Sequence, residues 1–380
     1  LTRRTRIVCI SDTHNQTPKL PKGDVLIHAG DITALGSFAE LQKMVEWLEK
    51  ADFEAKIVVA GNHDLTLDAE FDEQHKSLRH WTASQDAEKC RRLLRESNSI
   101  TYLENQAATI YLASPTGPHT CFKVFGSPCS PTMRNWAFGY QAHEASKLWD
   151  AIPSDTDIVV THTPPKDHCD TATEDVRTGC EVLLQALYRV RPMLSVFGHI
   201  HEARGVERVR WNVEVPENGR LEEAVEKWQD PGIGNNKQSL VDLTAKGGRP
   251  LDNASSLARP AHRPEFPIRG NGGQPDVFKV VQPGVLNSTS PLEGVPHNNS
   301  EANVRATPAG AVESRPGGPR SDIGFVLEPD VETVDRRAAR RETVMINAAF
   351  LGPRTSRRGG PTTFHKPVVV DIDLPVWAFE

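Results

Sequence analysis

The stretch Arg6-Ile-Val-Cys-Ile-Ser-Asp-Thr-His14 decides how this chain is read. Ile7 to Ile10 is an apolar run of strand length, and just past Ser11 come a carboxylate, Asp12, and an imidazole, His14. In extended backbone, residues i and i+2 point to one side, so this pair is placed to reach one hard or borderline metal ion. An isolated Asp-x-His recurs by chance and alone fixes nothing. Four further apolar runs repeat the pattern. Val25 to Ala29 ends at Gly30-Asp31, and Lys56 to Ala60 ends at Gly61-Asn-His-Asp64. Asp157 to Thr161 runs into His162-Thr-Pro-Pro165, and Leu194 to Phe197 leads into Gly198-His-Ile-His201.

Between the second and third runs, Phe38 to Ala51 has helical periodicity, with Leu41, Val45 and Leu48 on one face. Strands that finish in polar ligands, with a helix between them, predict an α/β sheet whose site lies beyond its carboxyl ends. The same reading places helices over Ala87 to Glu96, Tyr140 to Ala151 and Cys180 to Val190. It places strands over Ile100 to Leu103, Ala108 to Leu112, Phe122 to Gly126 and Val206 to Val213.

The 380 residues are enough for one large or two ordinary domains, and the 28 Pro and 27 Gly gather in the second half. Composition changes near Val215. A short helix is predicted over Leu221 to Trp228, followed by unpatterned Gly, Pro, Asn, Ser and Arg up to Asp330, with apolar islands at Val277 to Val281 and Phe325 to Leu327. The expected organisation is therefore a core over 1–215, a disordered or loosely attached insertion over 216–330, and an ordered segment over 331–380. That last segment opens with a basic stretch, Arg336 to Arg341, which fits a solvated helix face better than a phosphate or nuclear-import patch. Strands follow over Val344 to Ala348 and Pro367 to Asp373.

A net charge of -6 and a pI near 6.2 supply no general attraction for nucleic acid or anionic membrane, so a nucleic-acid polymer is disfavoured as partner. No apolar run approaches the ~20 residues of a membrane span. The six cysteines lack Cys-x-x-Cys spacing and read as reduced thiols of an intracellular, cytoplasmic protein. Residue 1 is Leu, which leaves open a leader ahead of it.

Taken singly, the strand-end residues have ordinary explanations. Asp31 after a glycine fits a helix cap, Asn62 a turn, and His162 before two prolines a loop. Five strand ends each carrying ligand-type residues, in a chain with 14 histidines, are not explained that way together. Asp12, His14, Asp31, Asn62, His63, His162, His199 and His201 contain what two metals about 3.5–4 Å apart need: a shared carboxylate with separate imidazole and oxygen donors.

Ser11-Asp-Thr-His14, Gly30-Asp31, Gly61-Asn-His-Asp64, Thr161-His162 and Gly198-His-Ile-His201 resemble, in order, the five blocks of the calcineurin-like metallophosphoesterases, over about residues 5 to 213. Gly126-Ser-Pro128, Trp136-Ala-Phe138, Thr161 to Pro165 and Ile346-Asn-Ala-Ala349 are similar to the branch of metallophosphoesterase-domain proteins acting on cyclic nucleotides and other phosphodiesters. The resemblance implies a four-layer α/β/β/α sandwich interrupted by the long insertion. It further implies one metal held by Asp12, His14, Asp31 and His201, and a second by Asp31, Asn62, His162 and His199, with Asp31 bridging. His63 would face substrate as the catalytic residue, protonating the leaving alkoxide or stabilising charge on phosphorus. Asp64 would orient His63 by a hydrogen bond, or else serve the turn itself.

A phosphodiester is anionic and repels hydroxide, so its hydrolysis needs charge neutralisation and a strong nucleophile at neutral pH. Two dications supply both, through a bridging hydroxide and in-line attack on phosphorus. Imidazole, carboxylate and amide donors without thiolate suit Mn, Fe, Zn or Co better than Mg. The protein-phosphatase branch follows Gly-Asp with Asp-Arg-Gly, whose arginine binds phosphate. This chain reads Gly30-Asp-Ile-Thr-Ala-Leu-Gly36, and without that arginine a small diester is favoured over a monoester or a phosphoprotein. The remaining alternatives are a phosphomonoesterase or nuclease on the same scaffold, or a weakly active metal-binding regulatory protein. His168 and Cys169 fit either a pocket lining or an ordinary loop, and Trp136 and Phe138 either a base-stacking platform or the core.

Overall fold

The computed structural model describes residues 1–75, 85–133, 135–173, 176–213, 219–253, 278–282, 339–354 and 362–377. The strands of its two large sheets, in chain order, are β1 (Thr2–Ile10), β2 (Val25–Ala29), β3 (Ala55–Val59), β4 (Thr101–Tyr102), β5 (Gln106–Tyr111), β6 (Cys121–Ser127) and β7 (Ile158–Thr161). They continue with β8 (Leu194–Phe197), β9 (Gly205–Trp211), β10 (Glu222–Lys227), β11 (Ser239–Leu243), β12 (Phe278–Gln282), β13 (Glu342–Asn347) and β14 (Val368–Pro375). The helices are α1 (Phe38–Lys50), α2 (Ala69–His75), α3 (Ala87–Arg95), α4 (Ala145–Asp150) and α5 (Glu181–Val190).

Two large sheets result, a six-stranded one in the order β11-β14-β1-β2-β3-β4 and an eight-stranded one in the order β10-β9-β13-β8-β7-β6-β5-β12, beside three two-stranded ribbons among the described residues. Strand alternation fixes how they stack. Ile7, Cys9, Val25 and Ile27 of the first sheet share a buried cluster with Val124, Ile158, Val160 and Val196 of the second, so these side chains meet between the sheets. Val8, Ile10, Leu26 and Val58 point the other way, onto Leu41, Met44 and Leu48 of α1 and Leu94 of α3. Phe125, Val159, Phe197 and Met345 likewise turn outward onto Trp149 of α4 and Leu183 and Leu187 of α5. Helix, sheet, sheet, helix is the four-layer sandwich expected. A capping box on Ser37 and Glu40 starts α1.

Three features differ from the sequence reading. Leu221 to Trp228 is not a helix: Glu222–Lys227 is a strand paired antiparallel with β9. The spacing of Leu221, Ala224, Val225 and Trp228 is helical, but the open edge of β9 offers backbone bonds that outweigh local preference. The loosely attached stretch, read as 216–330, also begins too early, because β10 joins the eight-stranded sheet and β11 pairs parallel with β14 in the six-stranded one. Phe278–Gln282 pairs with β5, whereas 254–277 and 283–338, including Phe325 to Leu327, Arg336 and Arg337, lie outside the described residues. Finally, Arg340 is not on a solvated face. It is 3% exposed and donates to the carbonyl of Thr156 and the carboxylate of Asp157, fastening the chain at the entry to β7 and β13.

The C-terminal segment lies inside both sheets, β13 between β9 and β8 and β14 between β11 and β1. All six cysteines are free thiols. Among the described residues, no helix is long and apolar enough to cross a membrane.

Candidate metal centre

β1, β2, β3, β7 and β8 end at one rim, and their following turns carry the predicted ligands. These turns are tight and strained. Asp12, His14, Asp31 and His199 all have positive φ, at 54°, 41°, 53° and 68°. Side chains other than glycine pay of order 1–3 kcal/mol for such backbone, which persists only where surrounding bonds enforce it. Here they do: Asp12 N–H donates to Gly30 O at 2.9 Å, His14 N–H to Asp31 O at 3.1 Å, and His199 N–H to the Asp12 carboxylate at 3.0 Å. Asp12 and His14 therefore converge, but by a left-handed turn rather than by the extended i, i+2 geometry that the sequence suggests.

Asp12, His14, Asp31 and His201 bring their donor atoms within 4.8 Å of one another. His201 Nε2 lies 3.3 Å from Asp12 Oδ1 and 3.3 Å from His14 Nε2, which is 3.5 Å from Asp31 Oδ2. A second cluster gathers around His162. Its Nε2 lies 2.9 Å from Asn62 Oδ1, 3.2 Å from His199 Nδ1 and 3.4 Å from Asp31 Oδ1. Donors at about 2.0–2.1 Å from a tetrahedral ion stand roughly 3.4 Å apart, so both clusters have the spacing of a coordination shell. Asp31 is shared, one oxygen turned to each cluster. With imidazole, carboxylate and amide donors and no thiolate, the residues fit a divalent metal ion.

The bonds behind the donors fix their ring orientation. His162 Nδ1–H donates to Ala29 O at 3.0 Å, which leaves Nε2 as the atom for a metal. Asn347, at the end of β13, donates to Ile200 O at 2.9 Å and Cys169 O at 3.0 Å, bracing the turn between His199 and His201. Gly61 and Gly198 leave the room this needs: a Cβ at Gly61 would stand 2.3 Å from Asp31 Oδ1, and one at Gly198 would stand 2.1 Å from Asp12 Oδ2.

Charge follows from the same packing in the metal-free protein. Burial opposes ionisation of Asp31, yet His162 and His14 hold its carboxyl well below the usual range. Asp12 is likewise held at about 2, against burial, by His201. Burial would neutralise His162, but Asp31 carries it up to about 9. Burial and the neighbouring His162 push His199 down to about 4.

His63 stands beside the clusters, its ring 4.6 Å from that of His14 and 4.0 Å from that of Trp136, to which it is tilted by 33°. Trp136 thus backs His63, while Phe138 is buried in the core under α1. Asp64 does not orient His63. The His63 Nδ1 partner is Ala34 O at 2.8 Å, and the Asp64 carboxylate accepts instead from Ile32 N, Thr33 N, Thr33 Oγ1 and Gly61 N. It ties the Asp31 turn to the Asn62 turn, the second of the two roles considered for it. Burial, then the Asp31 charge, raise it to about 6.

Two histidines escaped the sequence reading. His28, buried in β2, holds Thr13 Oγ1 at 2.9 Å beneath the Asp12 turn. His365, just past Thr362–Phe364, lies within electrostatic reach of His201 and Arg204. Alternation along β2 offered a signal for His28. Nothing local marks His365, which a distant hairpin carries to the site.

The family model for calcineurin-like phosphoesterases matches residues 5–203. Over 214 residues the chain is 40% identical to metallophosphoesterase domain-containing protein 1 of Homo sapiens, covering 53% of this chain and 62% of that one. It is 43% identical over 210 residues to the probable rhamnogalacturonate lyase C of Emericella nidulans, covering 55% of this chain and only 18% of that one. A UPF0046 protein of Caenorhabditis elegans is 31% identical over 212 residues, 53% of this chain and 71% of that one. The chain thus spans less than two thirds of the first two relatives. With its five turns carrying Asp, Asn and His, its sandwich and these matches, the chain belongs to the calcineurin-like phosphoesterase family, in the branch of the metallophosphoesterase domain-containing proteins.

Proposed function

We propose that the chain is a dinuclear metal-dependent phosphodiesterase acting on small diesters, with cyclic nucleotides the substrate class that its branch implies. The observation that carries this reading is Asp31, whose Oδ2 faces His14 at 3.5 Å while Oδ1 faces His162 at 3.4 Å. Two such ions, when bound, supply Lewis-acid neutralisation of the phosphate and a nucleophile at neutral pH.

The chain's own residues do the rest. Ala34 O is only an acceptor, so His63 Nδ1 keeps its proton and Nε2 is the atom free to act on substrate. In the imidazolium form Nε2–H donates to the leaving oxygen, and Trp136 and the Ala34 bond hold the ring for that transfer. The turn after Asp31 favours diesters. Ile32 and Thr33 are buried, Ala34 serves His63, and none of residues 32–36 is an arginine that could meet the second charge of a monoester. The test is hydrolysis of bis(p-nitrophenyl) phosphate by metal-stripped protein restored with Mn, Fe, Zn, Co or Mg, with p-nitrophenyl phosphate alongside. Metal-restored turnover higher on the diester is expected. Higher turnover on the monoester, or none with any metal in folded protein, contradicts the proposal.

A further inference from the structure

A cleft of about 1090 Å³ begins at the residues that follow His201 and runs over the outer face of β9 and β10, and none of the metal-centre residues lines it. Its polar focus is His168, one of the two residues after His162 whose role the sequence leaves open. His168 is 2% exposed, and its Nδ1 donates to Glu207 Oε2 at 2.8 Å. Its Nε2 has no hydrogen-bond partner. It faces Glu222 Oε1 at 3.6 Å, beyond a direct hydrogen bond. No oxygen fits on the line between the two atoms, but one entering from the cleft that both residues line can stand about 2.8 Å from each, accepting from the imidazole and donating to the carboxylate, as a hydroxyl does. The second Glu222 oxygen offers a place for a neighbouring hydroxyl. Leu184, Leu221 and Val225 line the same cleft and present apolar surface to the carbon skeleton of such a ligand.

We propose that this cleft binds a vicinal diol of sugar size, with His168 Nε2–H donating to one hydroxyl and Glu222 accepting from it and its neighbour. The site is separate from the metal centre and does not rest on the phosphodiesterase reading.

The test uses the full chain and D-ribose, with binding followed by ligand-observed NMR before and after metal chelation. Saturable binding that survives chelation is expected. Glu222→Gln should weaken it about 10- to 100-fold, the usual effect of losing a hydrogen bond to a charged group. Val225→Trp, at an exposed strand position, should block the cleft while leaving the His168 contacts in place. Three outcomes overturn the proposal: no saturable binding, meaning water alone bridges the gap; binding lost with the metals, meaning the diol chelates them; or binding equal in both variants, meaning it lies elsewhere.

Discussion

Gly198 measures how little room the ligand turns leave. A methyl group there would meet Asp12 Oδ2 and Ser11 Oγ at 2.1 Å, and neither is the far end of a flexible chain. Gly198→Ala should therefore displace Asp12, weaken metal binding about 10- to 100-fold, and destabilise the fold by about 1–3 kcal/mol. Calorimetric metal titration and thermal melts check both, and an unchanged affinity would show that the Asp12 turn tolerates the methyl. At this scale the sequence is legible for which residues cluster, because Asp, Asn and His at strand ends are rare enough to stand out together, and Asp12, His14, Asp31 and His201 do meet within 4.8 Å. It is poorly legible for their supports. Ala34 offers only a backbone carbonyl to His63, which no side-chain pattern can announce, and Asp64 is a carboxylate whose four donors come from two other turns.

Among the elements, the join of β9 and β10 to the loop after β7 depends on one buried imidazole. Burial opposes charge on His168, but the hydrogen bond to Glu207 and the nearby Glu222 carboxylate outweigh it and raise the group to about 9. A free imidazole titrates near 6.5, so between about pH 6.5 and 9 the folded chain holds a proton that the unfolded chain has released. The stabilisation is fully present below 6.5, amounts to roughly 3 kcal/mol at most, and is lost as pH rises through 9. His168→Phe should flatten denaturant stability over that window; a slope equal to the parent's would place the titration elsewhere. β10 itself was illegible. Glu222 to Lys227 is rich in helix formers, and only its pairing with β9 makes it a strand. The apolar runs of β1, β2, β3, β7 and β8 were plain because both faces of those strands are covered, one by the other sheet and one by helices.

For the whole molecule, the interior placement of β13 and β14 makes the C-terminal segment part of both sheets rather than an appendage. A chain ended at residue 338 would lose an inner strand from each sheet, along with Arg340 and Asn347. It should not give a cooperative thermal transition, and a two-state melt near the parent's would contradict that expectation. What joins these scales is Asp31, at the point where the two donor clusters meet. The most direct test is the metal stoichiometry of purified protein after Mn loading, for the parent and for Asp31→Asn. Two equivalents per chain in the parent, with spin-coupled Mn signals, and loss of the pair in the folded variant are predicted. A single equivalent in the parent, or an Asp31→Asn variant that still holds two coupled ions, would contradict the shared-carboxylate centre.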